Sequence, residues 1–188
     1  MMKIILICSI TLFALFQSGN SNVLKACGQI NADVTQDKIV GGRLVKDGER
    51  PWQISLQRDG WFGKSHSCGG SIIDQLNVIT AAHCVDLEID GVPYKEPKYF
   101  KALLGEHNLE IEEPEEVKIN VKRIIIHPQW NSQNVNNDLA LIELERPIDF
   151  DGKESHVSPV CLGDSRLPNL DDKIGLISGW GKTSNGKQ

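Results

Sequence analysis

The sequence predicts an all-β protein, either a barrel or a sandwich, and three observations support this prediction. From residue 39 onward, apolar segments of roughly 4–8 residues alternate with stretches that contain Gly, Pro, Asn and Asp. Several of these segments have the composition that is typical of strands. No stretch shows the apolar repeat of an amphipathic helix.

The predicted strands follow one another along the chain, with turn residues between them. They lie in the segments WQISLQ (52–57), GGSIID (69–74), LNVITAA (76–82), ALLGEHN (102–108), VKINVKRIIIH (117–127), DLALIELE (138–145) and KIGLISGWG (173–181). The stretch TAAHCV allows one short turn of helix. Residues 57–67 and 85–102 are polar or contain prolines, which predicts surface loops.

The N-terminal part differs from this pattern. Residues 1–19 have one lysine followed by an apolar run from Ile4 to Phe16, which is the layout of a secretory signal peptide. The run is too short to span a bilayer comfortably. Residues 20–38 are polar and aperiodic, and we interpret them as a propeptide or light-chain segment. The sequence therefore predicts a secreted, extracellular protein without a membrane anchor.

The charge balance argues against one class of partner. The chain has 20 Lys and Arg residues against 25 Asp and Glu residues, and its formal net charge is −5. Because no basic block occurs, we expect no nucleic-acid partner.

The cysteines fit an oxidising compartment. Of the five, Cys8 would leave with the signal peptide, so an even number remains and two disulfides are expected. Four cysteines allow three pairings, and the count alone leaves these open. The four are Cys27, Cys68, Cys84 and Cys161.

Seven short motifs form an ordered set in the same region. They are IVGG (39–42), SCGGSII (67–73), TAAHC (80–84), LGEHN (104–108), NNDLALIEL (136–144), SPVCL (158–162) and SGWGKT (178–183). Together they resemble the trypsin- and chymotrypsin-like serine proteases. The resemblance implies that residues 39–188 are a trypsin-like peptidase domain, incomplete at its C-terminus. It further implies the first six-stranded Greek-key barrel of a two-barrel fold, with most of the second barrel missing.

His83 and Asp138 match the catalytic histidine and aspartate of that family. A serine hydroxyl needs a neutral imidazole to accept its proton, and a carboxylate to hold the imidazole in the right tautomer. Taken singly, His83 could be a packed core histidine and Asp138 a turn cap. Within their motifs, the two residues are predicted to be catalytic. A carboxylate at the mouth of a buried strand needs a partner, and by resemblance that partner is His83.

The serine nucleophile has no convincing candidate. Ser165 stands in CLGDSRLP, where Arg166 and Leu167 occupy the positions of two family glycines. It also precedes the Gly-Trp-Gly motif at Trp180, whereas the family's nucleophile follows that motif. Ser178 is expected to be structural. We therefore expect the nucleophile, the oxyanion-hole amides and the floor of the specificity pocket to be absent from these 188 residues.

The resemblance also implies an activation site and two disulfides. Cleavage of the Lys38–Ile39 bond would create a new N-terminus at IVGG. The implied bridges are Cys68–Cys84 and Cys27–Cys161, and the second would keep the segment before Lys38 attached after cleavage.

A calcium loop is the one cofactor site expected. In trypsin-like relatives the loop that matches residues 105–116 binds Ca²⁺, a cation that prefers hard oxygen ligands. By resemblance, Glu106 and Glu116 supply carboxylates, and Asn108 and Ile111 supply carbonyl oxygens. Glu113 could join through water. The alternative is a solvated acidic loop. Calcium would be structural, and catalysis would need no cofactor.

Two functions from different classes follow. The first is a secreted trypsin-like serine endopeptidase zymogen, of which this chain is an inactive fragment. Its partners would be protein or peptide substrates, an activating protease and protease inhibitors. The alternative is a non-catalytic binding protein built on a protease scaffold. The sequence beyond Gln188 distinguishes the two.

Overall fold

The computed structural model describes residues 27–30, 44–60, 63–89, 91–163 and 174–181. The signal peptide, the Lys38–Ile39 bond and Ser165 lie outside these residues. The strands are β1 Gln53–Gly60, β2 Gly63–Ile72, β3 Asn77–Thr80, β4 Leu87–Ile89, β5 Val92–Tyr94, β6 Phe100–Leu104, β7 Val117–Ile126 and β8 Ala140–Leu144. Two short 3₁₀ turns cover Ala82–Cys84 and Pro97–Tyr99. The all-β prediction is confirmed.

Six of the strands close into one antiparallel barrel. Their order around the barrel is β1-β2-β3-β8-β7-β6, and β6 pairs with β1 to close it. The chain leaves β3, crosses one end of the barrel and enters again at β6, which gives the non-sequential strand order of a Greek key. The remaining strands, β4 and β5, form a hairpin within that crossing connection. The predicted six-stranded barrel is thus present.

Buried and more exposed side chains alternate along these segments, which explains why they form strands around one core. In β8, Ala140, Ile142 and Leu144 are buried and the residues between them are more exposed. In β3, Val78 and Thr80 point inward in the same way. Burying an Ile or Leu side chain contributes about 2–3 kcal/mol. The fully buried residues of the barrel strands therefore supply much of the driving force for closure.

Two predicted loops contain strands instead. The prediction of a loop over 57–67 is wrong, because β1 continues to Gly60 and β2 begins at Gly63. The hairpin extends beyond the apolar core, so its polar composition does not reveal the strands. The segment 85–102 contains the β4–β5 hairpin and the start of β6. Its Tyr94 is packed into the core cluster, with only 9% of the residue exposed.

One predicted strand is not seen. Residues 174–181, the described part of KIGLISGWG, contain no strand. Ile177 in this segment is almost fully exposed. The segment contacts the barrel through polar bonds, with Trp180 Nε1 donating to the carbonyl of His107 and Ser178 Oγ donating to Gln53 Oε1. A segment with an apolar pattern forms a strand only where it also pairs with a neighbouring strand.

No helix among the described residues is long and apolar enough to cross a membrane.

Candidate active site

The pairing of β3 with β8 brings His83 and Asp138 to the same end of the barrel. The two strands are antiparallel, and Thr80 at the end of β3 is opposite Ala140 at the start of β8. His83 follows Thr80 by three residues and Asp138 precedes Ala140 by two. Because antiparallel neighbours end side by side, both residues lie at the rim next to this last pair.

Both carboxylate oxygens of Asp138 contact His83, one at its ring and one at its backbone N–H. Nδ1 of His83 lies 2.7 Å from Oδ2 of Asp138, and the backbone N–H of His83 donates to Oδ1 at 2.9 Å. The carboxylate favours the tautomer with its proton on Nδ1, which leaves Nε2 as a hydrogen-bond acceptor. The His83 side chain is 59% exposed and that of Asp138 only 21%. The arrangement can therefore present an oriented base to an incoming group.

Asp138 is held in its charged form. Burial alone would raise its pKa, but the hydrogen bonds from the backbone and the ring of His83 outweigh burial and lower the pKa of Asp138 below its ordinary value. The carboxylate is therefore ionised at neutral pH, and it can stabilise an imidazolium at His83.

A turn and a disulfide fix the position of His83. The 3₁₀ turn buries Ala82 and Cys84 and leaves His83 exposed between them. Cys84 forms a disulfide with Cys68 of β2, over a sequence separation of 16 residues. Closing a loop of this size stabilises a protein by about 3 kcal/mol. The bridge implied by the resemblance is present, and so is Cys27–Cys161.

Hydrogen bonds within the loop before Asp138 stabilise its conformation. Asn137 Nδ2 donates to the carbonyl of Gln129 at 2.9 Å, and the N–H of His127 donates to the carbonyl of Leu139. Val135 and Asn137 both have a φ of 57°. Asparagine tolerates this left-handed conformation, but for a β-branched valine it costs about 1–2 kcal/mol. The hydrogen bonds of the loop hold this strain next to Asp138, and no signal in the sequence predicts it.

No serine hydroxyl among the described residues forms a hydrogen bond with His83. The sulfur 3.5 Å from His83 Nε2 is that of Cys84, and its disulfide prevents it from acting as a nucleophile. A second Ser–His contact exists between Ser55 Oγ and His66 Nδ1, at 2.8 Å. Ser55 is fully buried, so no substrate can reach it, and burial lowers the pKa of His66. That pair is structural.

Comparisons with known proteins identify the family. A sequence profile described as Trypsin matches residues 39–188. The chain belongs to the trypsin family. Three relatives are serine protease filzig of Drosophila melanogaster, at 32% identity over 167 residues, serine proteinase stubble of the same fly, at 34% over 165, and coagulation factor IX of Cavia porcellus, at 34% over 150. The alignments cover 85%, 85% and 77% of this chain but only 9%, 19% and 47% of the relatives.

This member of the trypsin family has a cluster of carboxylates in its acidic loop. Ligand oxygens of Glu106, Glu113 and Glu116 lie within 4.8 Å of one another. Burial, followed by the charges of Glu116 and Glu113, raises the pKa of Glu106 to about 7. Its Oε1 is buried without a hydrogen-bond partner. A cluster of three carboxylates, one of which has an unsatisfied oxygen, is a fitting environment for a hard cation.

The structure brings together some of the residues that were expected to bind calcium. Glu106 and Glu116 lie together, and Glu113, expected to act through water, belongs to the cluster itself. Asn108 and Ile111 are in a turn of the same loop, where the N–H of Ile111 donates to the carbonyl of Asn108 at 3.1 Å. The backbone N–H groups of His107 and Asn108 donate to Glu113.

Proposed function

We propose that this chain carries the base and the orienting carboxylate of a secreted trypsin-like serine endopeptidase, made as a zymogen. The observation that carries the proposal is the 2.7 Å contact between His83 Nδ1 and Asp138 Oδ2, together with the exposed ring of His83. Membership of the trypsin family supports protein or peptide substrates. Protease inhibitors would be partners, because they compete with substrates for the same cleft.

In the proposed reaction His83 transfers a proton, and Asp138 orients and stabilises His83. Nε2 of His83 accepts the proton of a serine hydroxyl as that oxygen attacks the peptide carbonyl. Asp138 stabilises the imidazolium that forms, and His83 then donates the proton to the leaving amine. We assign no serine of this chain to the nucleophile.

The sequence of the same transcript beyond Gln188 tests the proposal. A Gly-Asp-Ser-Gly-Gly segment downstream would support the endopeptidase. Glycine in place of the serine of that segment, or a stop codon, would overturn it in favour of a non-catalytic binding protein on the same scaffold.

Activation at Lys38–Ile39 is the second part of the proposal. We expect a trypsin-like activator to cut this bond first and to release a chain that begins at Ile39, with the preceding segment retained through the Cys27–Cys161 bridge. N-terminal sequencing under non-reducing and reducing conditions measures both points. A first cut elsewhere, with Lys38–Ile39 left intact, contradicts the zymogen.

We also propose that the acidic loop holds a structural calcium ion on Glu106, Glu113 and Glu116. The support is the short distance between their oxygens and the unsatisfied Oε1 of Glu106. The ion would neutralise carboxylates that otherwise repel one another. It would fasten the loop between β6 and β7 and would take no part in peptide-bond cleavage.

Calcium is expected to raise the unfolding temperature, and the effect should depend on pH. The folded-state pKa of Glu106, about 7, lies above its ordinary value of 4.5. Without calcium, its contribution to stability is therefore present below pH 4.5 and is lost as the pH rises through 7. At a hundredfold excess over Kd, calcium contributes about 2.7 kcal/mol. Its effect should be larger at pH 8 than at pH 5.

Thermal unfolding with and without calcium measures this effect. Glu116→Gln should lose most of it. Glu145→Gln is the matched control, because Glu145 accepts a hydrogen bond from Asn120 outside the cluster. An equal calcium effect in both variants would rule out the proposed site.

A further inference from the structure

Asp86 joins three segments around the His83–Asp138 pair. One carboxylate oxygen, Oδ2, accepts a hydrogen bond from Trp130 Nε1 at 2.9 Å. The other, Oδ1, forms an ion pair with Lys95 Nζ at 2.6 Å. Asp86 closes the turn that carries His83, Trp130 lies in the loop that leads to Asp138, and Lys95 follows the β4–β5 hairpin. Both oxygens of one side chain thus connect separate parts of the site.

The contact with Trp130 completes a ring of hydrogen bonds. The ring begins at the backbone N–H of Asp86, which donates to the carbonyl of Ala82 at 2.9 Å. Ala82 is followed in the chain by His83. His83 binds Asp138, which follows Asn137, and the side-chain amide of Asn137 donates to the carbonyl of Gln129, next to Trp130. Trp130 then returns to Asp86 across 44 positions of sequence. The His83–Asp138 contact and the Asp86–Trp130 bond are thus two links of the same ring.

Asp86 is ionised at neutral pH. Hydrogen bonds from Lys95, and then from Trp130, lower the pKa of Asp86 below its ordinary value. The carboxylate is therefore an acceptor for both partners at neutral pH. Its side chain is only 19% exposed, so water competes weakly for these bonds.

The residue before Lys95 is packed into the barrel core. Tyr94, at the end of β5 and next to Lys95, is buried and stacks edge-on against Tyr99 at 5.1 Å between ring centroids. The guanidinium of Arg58 lies 5.2 Å from the Tyr94 ring. Lys95 is therefore presented to Asp86 from a fixed strand end.

We propose that Asp86 is a positioning residue, which holds the His83–Asp138 pair in register through its hydrogen bond with Trp130. The His83 turn follows β3 and the Asp138 loop precedes β8, and the two segments meet at the Thr80↔Ala140 pair and at the two hydrogen bonds between His83 and Asp138. The Asp86–Trp130 bond connects the same two segments farther along the chain from this strand pair, and it restricts rotation of one segment against the other. The proposal uses the proposed function only in giving His83 the role of base.

The test follows the Nδ1 proton of His83 by NMR in the 188-residue chain, with the signal assigned through His83→Gln. Trp130→Phe keeps the aromatic ring and removes the donor. We expect its His83 Nδ1–H resonance to broaden or to exchange with water about tenfold faster. Asp86→Ala should do the same. Asp86→Asn keeps an acceptor oxygen for Trp130, so it should retain the resonance.

Glu143→Ala is the matched control. Glu143 lies on β8, its side chain is 16% exposed, and it pairs with Lys122 and Arg123 without joining the two segments. Its removal should leave the His83 signal unchanged. A wild-type signal in folded Trp130→Phe would overturn the proposal, as would equal loss in Glu143→Ala. The readout needs no turnover, so failure of the protease proposal would leave this result interpretable.

Discussion

Replacing Asp138 by asparagine is expected to lower kcat about 10⁴-fold in a product of this gene that contains a family-type serine nucleophile. The introduced asparagine would keep the shape of the side chain but could present its amide NH₂ to His83 Nδ1. The imidazole would then favour the tautomer with its proton on Nε2, and it could no longer accept the proton of serine. The substitution also removes the negative charge that stabilises the imidazolium.

The structure indicates why the effect should fall on kcat and not on substrate binding. Both oxygens of Asp138 are engaged with His83, and its side chain is only 21% exposed. A substrate of the proposed protease would therefore meet His83 before Asp138. Steady-state kinetics with a peptide substrate measures both parameters, and KM should change little.

Glu143→Gln is the control for this variant. Glu143 is a carboxylate within β8, whereas Asp138 precedes this strand, and the side chain of Glu143 has cationic partners and an exposure similar to that of Asp138. Its replacement should leave kcat within about twofold, because surface ion pairs contribute little. Equal losses in the two variants would show that negative charge in this part of the chain, and not the orientation of His83, determines activity.

The motifs single out His83 and Asp138, which the structure places in contact, whereas the apolar pattern misses some of the strand bounds. His83 and Asp138 stand in motifs, and the two strands next to them are predicted from short apolar segments that turn residues separate. This pattern fails where a strand has few apolar residues, so the polar segment 57–67 is predicted to be a loop. The register Thr80↔Ala140, which brings the pair together, is a long-range pairing and has no local signal.

Contacts between distant polar side chains were missed for the same reason. Trp130 and Asp86 are separated by 44 positions, and neither stands in a motif that predicts a hydrogen bond. The left-handed conformation of Val135 contradicts the preference of its residue type, so the sequence argues against it. Such features are expected to concentrate near functional sites, and here they flank Asp138.

The chain of 188 residues should show no covalent labelling by a fluorophosphonate probe, even after cleavage at Lys38–Ile39. Such a probe requires a serine activated by an adjacent base, with amides that stabilise the developing oxyanion. Ser55 is fully buried against His66, and Ser178 donates to Gln53. Because the nucleophile, base and oxyanion hole act as a unit, loss of one triad member lowers the rate by about 10⁴–10⁶-fold.

Ser165 decides this prediction, since it stands in the only Gly-Asp-Ser stretch of the chain. The family's nucleophile needs the two glycines that follow it, and here Arg166 and Leu167 fill those positions. Side chains at both positions would crowd the tight turn that exposes the hydroxyl. Mass spectrometry of the probe-treated chain measures the outcome, with an active trypsin-family protease as the positive control. A label on Ser165 that disappears in His83→Ala would show that Ser165 is a nucleophile activated by His83. The expectation that the nucleophile is absent from these 188 residues would then be wrong.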